Sequence, residues 1–165
     1  MGSKEPGKRD ARTSAILELE NVDEDALRAL AVRLAGVLGP GEVVVLRGEV
    51  GSGKTTFVRA AARALGVRET VTSPTYQFAR GYDGWANGRP VTVNHLDLYR
   101  LEGIEAPDSL EIEDYLGPNT LTFIEWAEPA LDAVGEPTVV HLDHEGPVTR
   151  RVRLRGPAGG RLPAC

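Results

Sequence analysis

The chain has 165 residues, of which 41% are hydrophobic, and its formal net charge at pH 7 is −5. This length and composition predict one globular domain with a substantial core and exclude a disordered or fibrous protein. The acidic charge argues against a protein held mainly by nucleic-acid phosphates, and no apolar run has the length of a membrane span. The single cysteine, at the C-terminus, excludes an internal disulfide and a cysteine-rich metal site, which fits a reducing cytoplasm.

Hydrophobic patterns along the chain predict an α/β domain. The first elements are a half-buried strand at 16–20, a helix after an N-cap at Asp23, a buried strand at 43–46, a glycine loop, and an alanine-rich helix that ends at Gly66. Further strands are expected near 76–82, 91–101 and 121–126, with a short helix at 109–116. Segments 138–144 and 150–156 flank a Gly-Pro turn and predict a closing antiparallel hairpin.

The expected domain boundaries follow from composition. We expect a flexible tail over 1–13, one domain over 14–156 and a second flexible tail over 157–165. In the last strand, three arginines fall on one face, namely Arg151, Arg153 and Arg155. Arginines in that pattern predict a solvated edge strand that is protected from aggregation.

Lys54 is unusual because the chain has 16 arginines and only three lysines, the other two in the N-terminal tail. It belongs to GEVGSGKT, which matches the P-loop pattern G-x-x-x-x-G-K-[ST] between a predicted strand and a predicted helix. In this motif backbone N–H groups and the lysine bind phosphate oxygens, and the hydroxyl after the lysine ligates Mg²⁺. The planar fork of an arginine would be bulkier than a compact ammonium. The predicted nucleotide-contacting residues are Glu49, Val50, Gly51, Ser52, Gly53, Lys54, Thr55 and Thr56.

Two acidic residues end predicted strands and are candidates for the carboxylate that holds Mg²⁺, directly or through water. Glu125 ends LTFIE, and Asp97 ends VTVNHLD. Both would lie at the carboxyl edge of the sheet, where ligands of open α/β sheets bind. The alternative is that each acid only begins a loop and faces water. His95 is isolated in the sequence and is expected to be a packed or capping side chain.

Two further features concern the nucleotide. The hydroxyls of Ser73 and Thr75 flank Pro74 in a segment where many P-loop proteins sense the γ-phosphate, and an ordinary Ser/Pro turn is the alternative. An N-K-x-D motif for guanine would need a lysine, and Lys54 is the only lysine outside the tail. ATP is therefore favoured over GTP.

Four segments, GEVGSGKTTFVR, VTSPTYQF, HLDLYRL and IEWAE, together resemble the TsaE family of bacterial ATPases in tRNA threonylcarbamoyladenosine (t6A) biosynthesis. The resemblance covers residues 15 to 155. It implies a P-loop NTPase-type three-layer sandwich with a mostly parallel, mixed central sheet. It also implies weak ATP hydrolysis with Mg²⁺, in the cytoplasm, in the service of the transferase subunits TsaD and TsaB. tRNA would be contacted indirectly, and neither DNA nor a membrane is expected as a partner.

The resemblance also implies residue roles. Lys54, Asp97 and Glu125 form the catalytic set: Lys54 binds phosphate, Glu125 holds Mg²⁺ together with Thr55, and Asp97 orients water or acts as general base. Trp126 contacts the nucleotide or a partner.

The resemblance also assigns Thr75 to the sensing loop. From its position three residues after Asp97, Arg100 is a candidate either for transition-state stabilisation or for a salt bridge. There are two rival functions. The first rival is a small-molecule P-loop kinase. The second is a nucleotide-gated binding module in which ATP occupancy matters and hydrolysis does not.

Overall fold

The computed structural model describes residues 17–72, 78–99 and 111–163. Strands in this part of the chain are β1 (Leu17–Val22), β2 (Val43–Gly48), β3 (Ala79–Ala86), β4 (Arg89–Asp97), β5 (Thr120–Glu125), β6 (Thr138–His144) and β7 (Arg150–Arg155). The α-helices are α1 (Glu24–Ala35) and α2 (Lys54–Ala64), and short 3-10 helices span Ile112–Tyr115, Glu128–Ala133 and Gly159–Arg161.

Helix α1 begins at the predicted cap. The Asp23 carboxylate accepts a hydrogen bond from the Ala26 N–H at 2.8 Å, which satisfies one of the free donors of the first turn. Leu27, Leu30 and Leu34 are buried at helical spacing, so one stripe of the helix packs on the sheet.

The seven strands form one sheet in the order β1-β7-β6-β2-β5-β4-β3. The four central strands β6, β2, β5 and β4 are parallel to one another, while β3, β7 and β1 join through antiparallel pairs. Strands β6 and β7 form the predicted closing hairpin. The α/β class with a mixed sheet is confirmed, and the carboxyl ends of the parallel strands meet at one edge.

The two faces of the sheet are covered differently. Helices α1 and α2 pack on one face, over a core that includes Leu34, Phe57 and Phe123. On the other face the described cover consists of the 3-10 helices Ile112–Tyr115 and Glu128–Ala133, which pack on residues such as Ile124. The predicted helix at 109–116 is therefore a 3-10 helix in its described part.

Strand β7 is not the edge strand that its arginines predict. It lies between β1 and β6, because the N-terminal strand pairs with it in antiparallel register. Arg151 forms ion pairs with Glu18, Glu20 and Glu145, all on neighbouring segments, at 3.2 to 3.8 Å. Arg151, and Arg153 through its ion pair with Asp143, thus balance acidic side chains across the face of the sheet.

The C-terminal segment also differs from the prediction. Residues 157–165 were expected to form a flexible tail, but Ala158 is buried and its N–H donates to Thr138 Oγ1 at 3.0 Å. Arg161 donates to the Glu42 carboxylate and to the Val37 carbonyl. These contacts hold the described residues 157–163 against the body of the domain. The predicted tail at 1–13 lies outside the described residues.

Within the described ranges, no helix is both long and apolar enough to cross a membrane.

The α1 stripe yields a stability prediction. Replacing the fully buried Leu34 with alanine should lower the free energy of unfolding by about 2–5 kcal/mol, because it opens a cavity under α1. Val32→Ala on the same helix is the matched control, since Val32 is 50% exposed and should change stability by about 0.5 kcal/mol or less. Urea unfolding of both variants measures the difference, and equal losses would contradict this packing.

Candidate nucleotide-binding site

The glycine loop after β2 takes backbone conformations that other residues rarely adopt. Gly53 has φ +110° and precedes the first residue of α2. A Cβ at Gly53 would lie 2.7 Å from Leu27 Cδ2, and a Cβ at Gly48 would lie 2.6 Å from Ser52 Oγ. Glycine is therefore required at both positions, by φ and by space. The loop ends at the N-terminus of a helix, where backbone N–H groups favour an anion.

A cavity of about 390 Å³ lies over this loop, at the carboxyl edge of the sheet. Its lining includes most of the predicted nucleotide-contacting residues together with the two predicted acids and Trp126, namely Glu49, Val50, Gly51, Gly53, Lys54, Thr55, Thr56, Asp97, Glu125 and Trp126. Ser52 is fully buried under the loop and is not part of the lining. The structure thus brings together residues from the loop after β2 and from α2, β4 and β5.

Lys54 is a buried cation in the wall of this cavity. Its Nζ donates hydrogen bonds to the carbonyl oxygens of Gly48 and Glu49, and it lies 4.0 Å from the centre of the Trp126 ring. Burial lowers the pKa of Lys54, while the Glu125 carboxylate acts in the opposite direction. The ammonium is therefore held by the loop and by the aromatic face.

Glu125 joins the end of β5 to the start of α2. Both of its carboxylate oxygens accept from Thr55 Oγ1, at 3.1 and 3.2 Å, although Glu125 is only 3% exposed. His95 Nε2 lies 2.5 Å from Glu125 Oε2, and His95 is 1% exposed. A buried carboxylate is tolerated when its oxygens are hydrogen-bonded in this way.

The reach of His95 to Glu125 follows from the parallel register of β4 and β5. His95 pairs with Phe123, and Asp97 pairs with Glu125, so His95 and Glu125 are diagonal neighbours. Side chains two residues apart on a strand share a face, which places His95, Asp97 and Glu125 on the same side of the sheet.

Asp97 also lines the cavity, beside Glu125 in the strand register, and is half-buried. Its Oδ1 accepts from the Tyr99 N–H at 3.1 Å, which fixes the carboxylate at the strand end. Burial raises the pKa of Asp97, and the nearby Glu125 charge raises it further. A carboxylate with a raised pKa at a cavity wall is suited to accept a proton.

Trp126 follows Glu125 directly and has an unusual backbone. Its φ is +58°, in the left-handed region that side chains other than Asn and Asp seldom occupy. The Tyr99 ring lies 4.9 Å from the Trp126 ring, centre to centre. The two rings, with the Lys54 ammonium, form one side of the cavity.

Two predicted residues lie outside the described part of the chain. Thr75 falls within 73–77, and Arg100 falls within 100–110, so their assignments stay predictions.

Sequence reasoning missed two residues near the loop. His95 and Asp97 are two residues apart and so share a strand face, but only the pairing of β4 with β5 shows that His95 contacts Glu125.

The second residue, Arg150, begins β7 and approaches the loop from the other side, with its Cζ 3.7 Å from a Cβ built at Gly53. Its Nε and Nη1 are buried and have no hydrogen-bond partner within the described part of the chain. No local pattern connects Arg150 to residues almost a hundred positions earlier.

The donor set at the cavity fits Mg²⁺ held with a nucleotide. Mg²⁺ in such sites takes one or two protein oxygens and completes its shell with phosphates and water. The Thr55 hydroxyl and the Glu125 carboxylate supply oxygens of that kind, side by side at the phosphate loop. Among the described residues no group of three or more His, Cys, Asp or Glu side chains is placed to hold a metal ion by itself.

The buried contact between His95 and Glu125 yields a stability prediction that does not depend on what the site binds. His95→Ala should lower the free energy of unfolding by about 1–3 kcal/mol, because Glu125 then stays buried with one partner fewer. The loss should shrink when Glu125 is already alanine, which a double-mutant cycle by urea unfolding measures. His144→Ala, at an exposed histidine on β6, serves as the control. Additive losses in the cycle would refute a direct His95–Glu125 interaction.

Comparison with known proteins agrees with this geometry. Residues 21–152 match the family model described as "Threonylcarbamoyl adenosine biosynthesis protein TsaE". A relative from Streptomyces coelicolor, named tRNA threonylcarbamoyladenosine biosynthesis protein TsaE, is 38% identical over 111 residues, which cover 67% of this chain and 73% of that protein. A protein of the same name from Mycobacterium tuberculosis is 36% identical over 125 residues, or 73% and 71% of the two chains.

A solved structure shares the fold. The crystal structure of Bacillus subtilis YdiB superposes with a TM-score of 0.65 over 88% of each chain, at 24% identity, and this likeness bears on the fold alone. The family match covers most of the chain, including the loop, β4 and β5. The chain therefore belongs to the TsaE family of threonylcarbamoyl adenosine biosynthesis proteins.

Proposed function

We propose that this chain is a weak, Mg²⁺-dependent ATPase that acts on the TsaD and TsaB subunits during threonylcarbamoyladenosine synthesis, with tRNA contacted indirectly. The observation that carries the proposal is the contact between Thr55 and the buried Glu125 at the edge of the P-loop cavity. A hydroxyl from the helix after the loop and an acid from the neighbouring strand form the pair on which P-loop ATPases hold Mg²⁺. A cytoplasmic location belongs to the same proposal.

In the proposed mechanism the loop binds the triphosphate. Backbone N–H groups of the loop and the start of α2 would bind phosphate oxygens, and Lys54 would place its charge beside them. Thr55 and Glu125 would hold Mg²⁺, which, when bound, neutralises part of the phosphate charge. His95 fixes Glu125 from behind, since it contacts the carboxylate and lies too deep to meet solvent.

Asp97 is the group proposed to act on water. It lines the cavity, and the Tyr99 N–H holds its carboxylate in one orientation. Its raised pKa makes the carboxylate a stronger proton acceptor than an ordinary aspartate. In-line attack needs a water oriented at the γ-phosphate, and orientation is the main task of such a residue in P-loop enzymes.

The test of the function is phosphate release from ATP by the purified protein, alone and with TsaD, TsaB and tRNA added. We expect slow release alone, a marked rise with the partners, and none from Lys54→Ala, which removes the buried cation. Lys54→Arg should not restore release, since the guanidinium is larger and planar.

Other outcomes of this assay would contradict the proposal. Tight ATP binding without release under either condition would indicate a nucleotide-gated module. Transfer of the phosphate to a metabolite would indicate a kinase.

Asp97→Asn tests the water-orienting role. The variant should bind ATP as the wild type does, while its turnover falls by about 10²–10⁴-fold. Because Asp97 must be ionised to accept a proton, wild-type turnover should fall as pH drops through the raised pKa, at a higher pH than an unperturbed aspartate would give. Stopped assays across acidic pH measure both effects. Equal turnover by Asp97→Asn would remove Asp97 from the mechanism.

A further inference from the structure

A second and larger cavity lies away from the nucleotide site. It is a groove of about 960 Å³ between the outer surfaces of α1 and α2 and the chain segment 66–71. Thr56 lines this groove and also lines the nucleotide cavity. Helix α2, which begins at the phosphate loop, therefore forms a wall of both.

The groove is basic although the whole chain is acidic. Four arginines line it, namely Arg28, Arg59, Arg63 and Arg68, against the two acids Glu24 and Glu69, in a chain of net charge −5. Two of these arginines are engaged within the chain, because Arg28 pairs with Glu24 at 2.6 Å and Arg59 donates to the Val71 carbonyl.

Arg63 and Arg68 are the uncommitted cations of the groove. Both are exposed, and among the described residues neither guanidinium makes an ion pair or a hydrogen bond. A guanidinium left free beside a concavity is well placed to bind a carboxylate of another molecule.

The floor of the groove is apolar and lacks aromatic rings. Val32 is 50% exposed on α1, and Ala60 and Ala64 lie on the facing side of α2. Single-stranded nucleic acids bind largely by stacking on aromatic side chains along uniformly basic channels, and neither feature is present among the described residues of this lining. Small apolar residues framed by arginines instead suit a protein segment that carries both apolar and acidic side chains.

We propose that this groove is the docking surface for an acidic, partly apolar segment of a protein partner. The inference rests on the proposed function, in which the chain acts on the TsaD–TsaB pair. A segment seated in the groove would contact Thr56 on the first turn of α2, within the helix that carries Lys54 and Thr55. A docked segment would therefore contact α2, the helix that begins at the end of the glycine loop.

The experiment compares a double charge reversal, Arg63→Glu with Arg68→Glu, with Arg89→Glu at an exposed position in the β3–β4 hairpin. Binding to the immobilised TsaD–TsaB pair is measured by interferometry in Mg²⁺ and ATP, at low and moderate salt. The double reversal should weaken binding about tenfold or more and reduce its salt dependence, because attraction becomes like-charge repulsion. Arg89→Glu should bind as the wild type does. The milder double variant, Arg63→Gln with Arg68→Gln, should have an affinity between those of the wild type and the double reversal.

ATP hydrolysis by each variant without partners reports on folding and on the nucleotide site, and it should be unchanged. Unchanged affinity of the double reversal for the pair would overturn the inference and leave the ATPase proposal standing. If the double reversal binds the pair normally but loses affinity for a tRNA transcript, the groove belongs to RNA and the inference is overturned. If it binds the pair normally but loses self-association in light scattering, the groove belongs to a second copy of the chain, which also overturns the inference. Failure of the wild-type chain to bind the pair would refute the partner in the proposed function, and the inference with it.

Discussion

The buried carboxylate of Glu125 is the constraint on which the candidate site depends. A carboxylate that is 3% exposed loses most of its hydration, and that cost is tolerable only when protein groups replace the water. Thr55 on α2 and His95 on β4 supply the contacts that replace this water. One side chain thus ties the end of β5 to the first turn of α2 and to the neighbouring strand. The glycine loop lies between these connected elements, so its geometry is set by the sheet as well as by its own glycines.

The sheet topology explains why these groups meet. Strand β2 lies between β5 and β6, and β5 lies between β2 and β4, all parallel, so their carboxyl ends form one edge. The loop leaves β2 at that edge, and Glu125 and Asp97 end the next two strands in matched register. Of the flanking strands, β3 and β7 run in the opposite direction and end at the other edge, while β1 runs parallel to the central strands. Ligand sites of open parallel sheets form in this place for the same reason.

Residues whose position at the cavity is encoded locally could be predicted from the sequence. The loop from Gly48 to Thr55 carries its own motif and context, and Glu125 ends an apolar run, so both are found at the cavity. The role of His95 needed the pairing of β4 with β5, which no local pattern contains. The edge position predicted for β7 was wrong because β1, which is far from β7 in the sequence, pairs with its outer side. The packing of 157–163 likewise depends on distant groups such as Glu42 and Thr138.

The central claim is that Glu125 and Thr55 form the Mg²⁺-dependent part of an ATP site. Calorimetric titration of ATP, with Mg²⁺ and with EDTA, into wild-type protein and Glu125→Gln tests it most directly. Glutamine keeps the size of the side chain and a hydrogen-bonding oxygen but removes the charge. The account predicts that Mg²⁺ strengthens ATP binding to the wild type and that most of this increment disappears in Glu125→Gln, while binding in EDTA changes little. An equal Mg²⁺ increment in both proteins would contradict it.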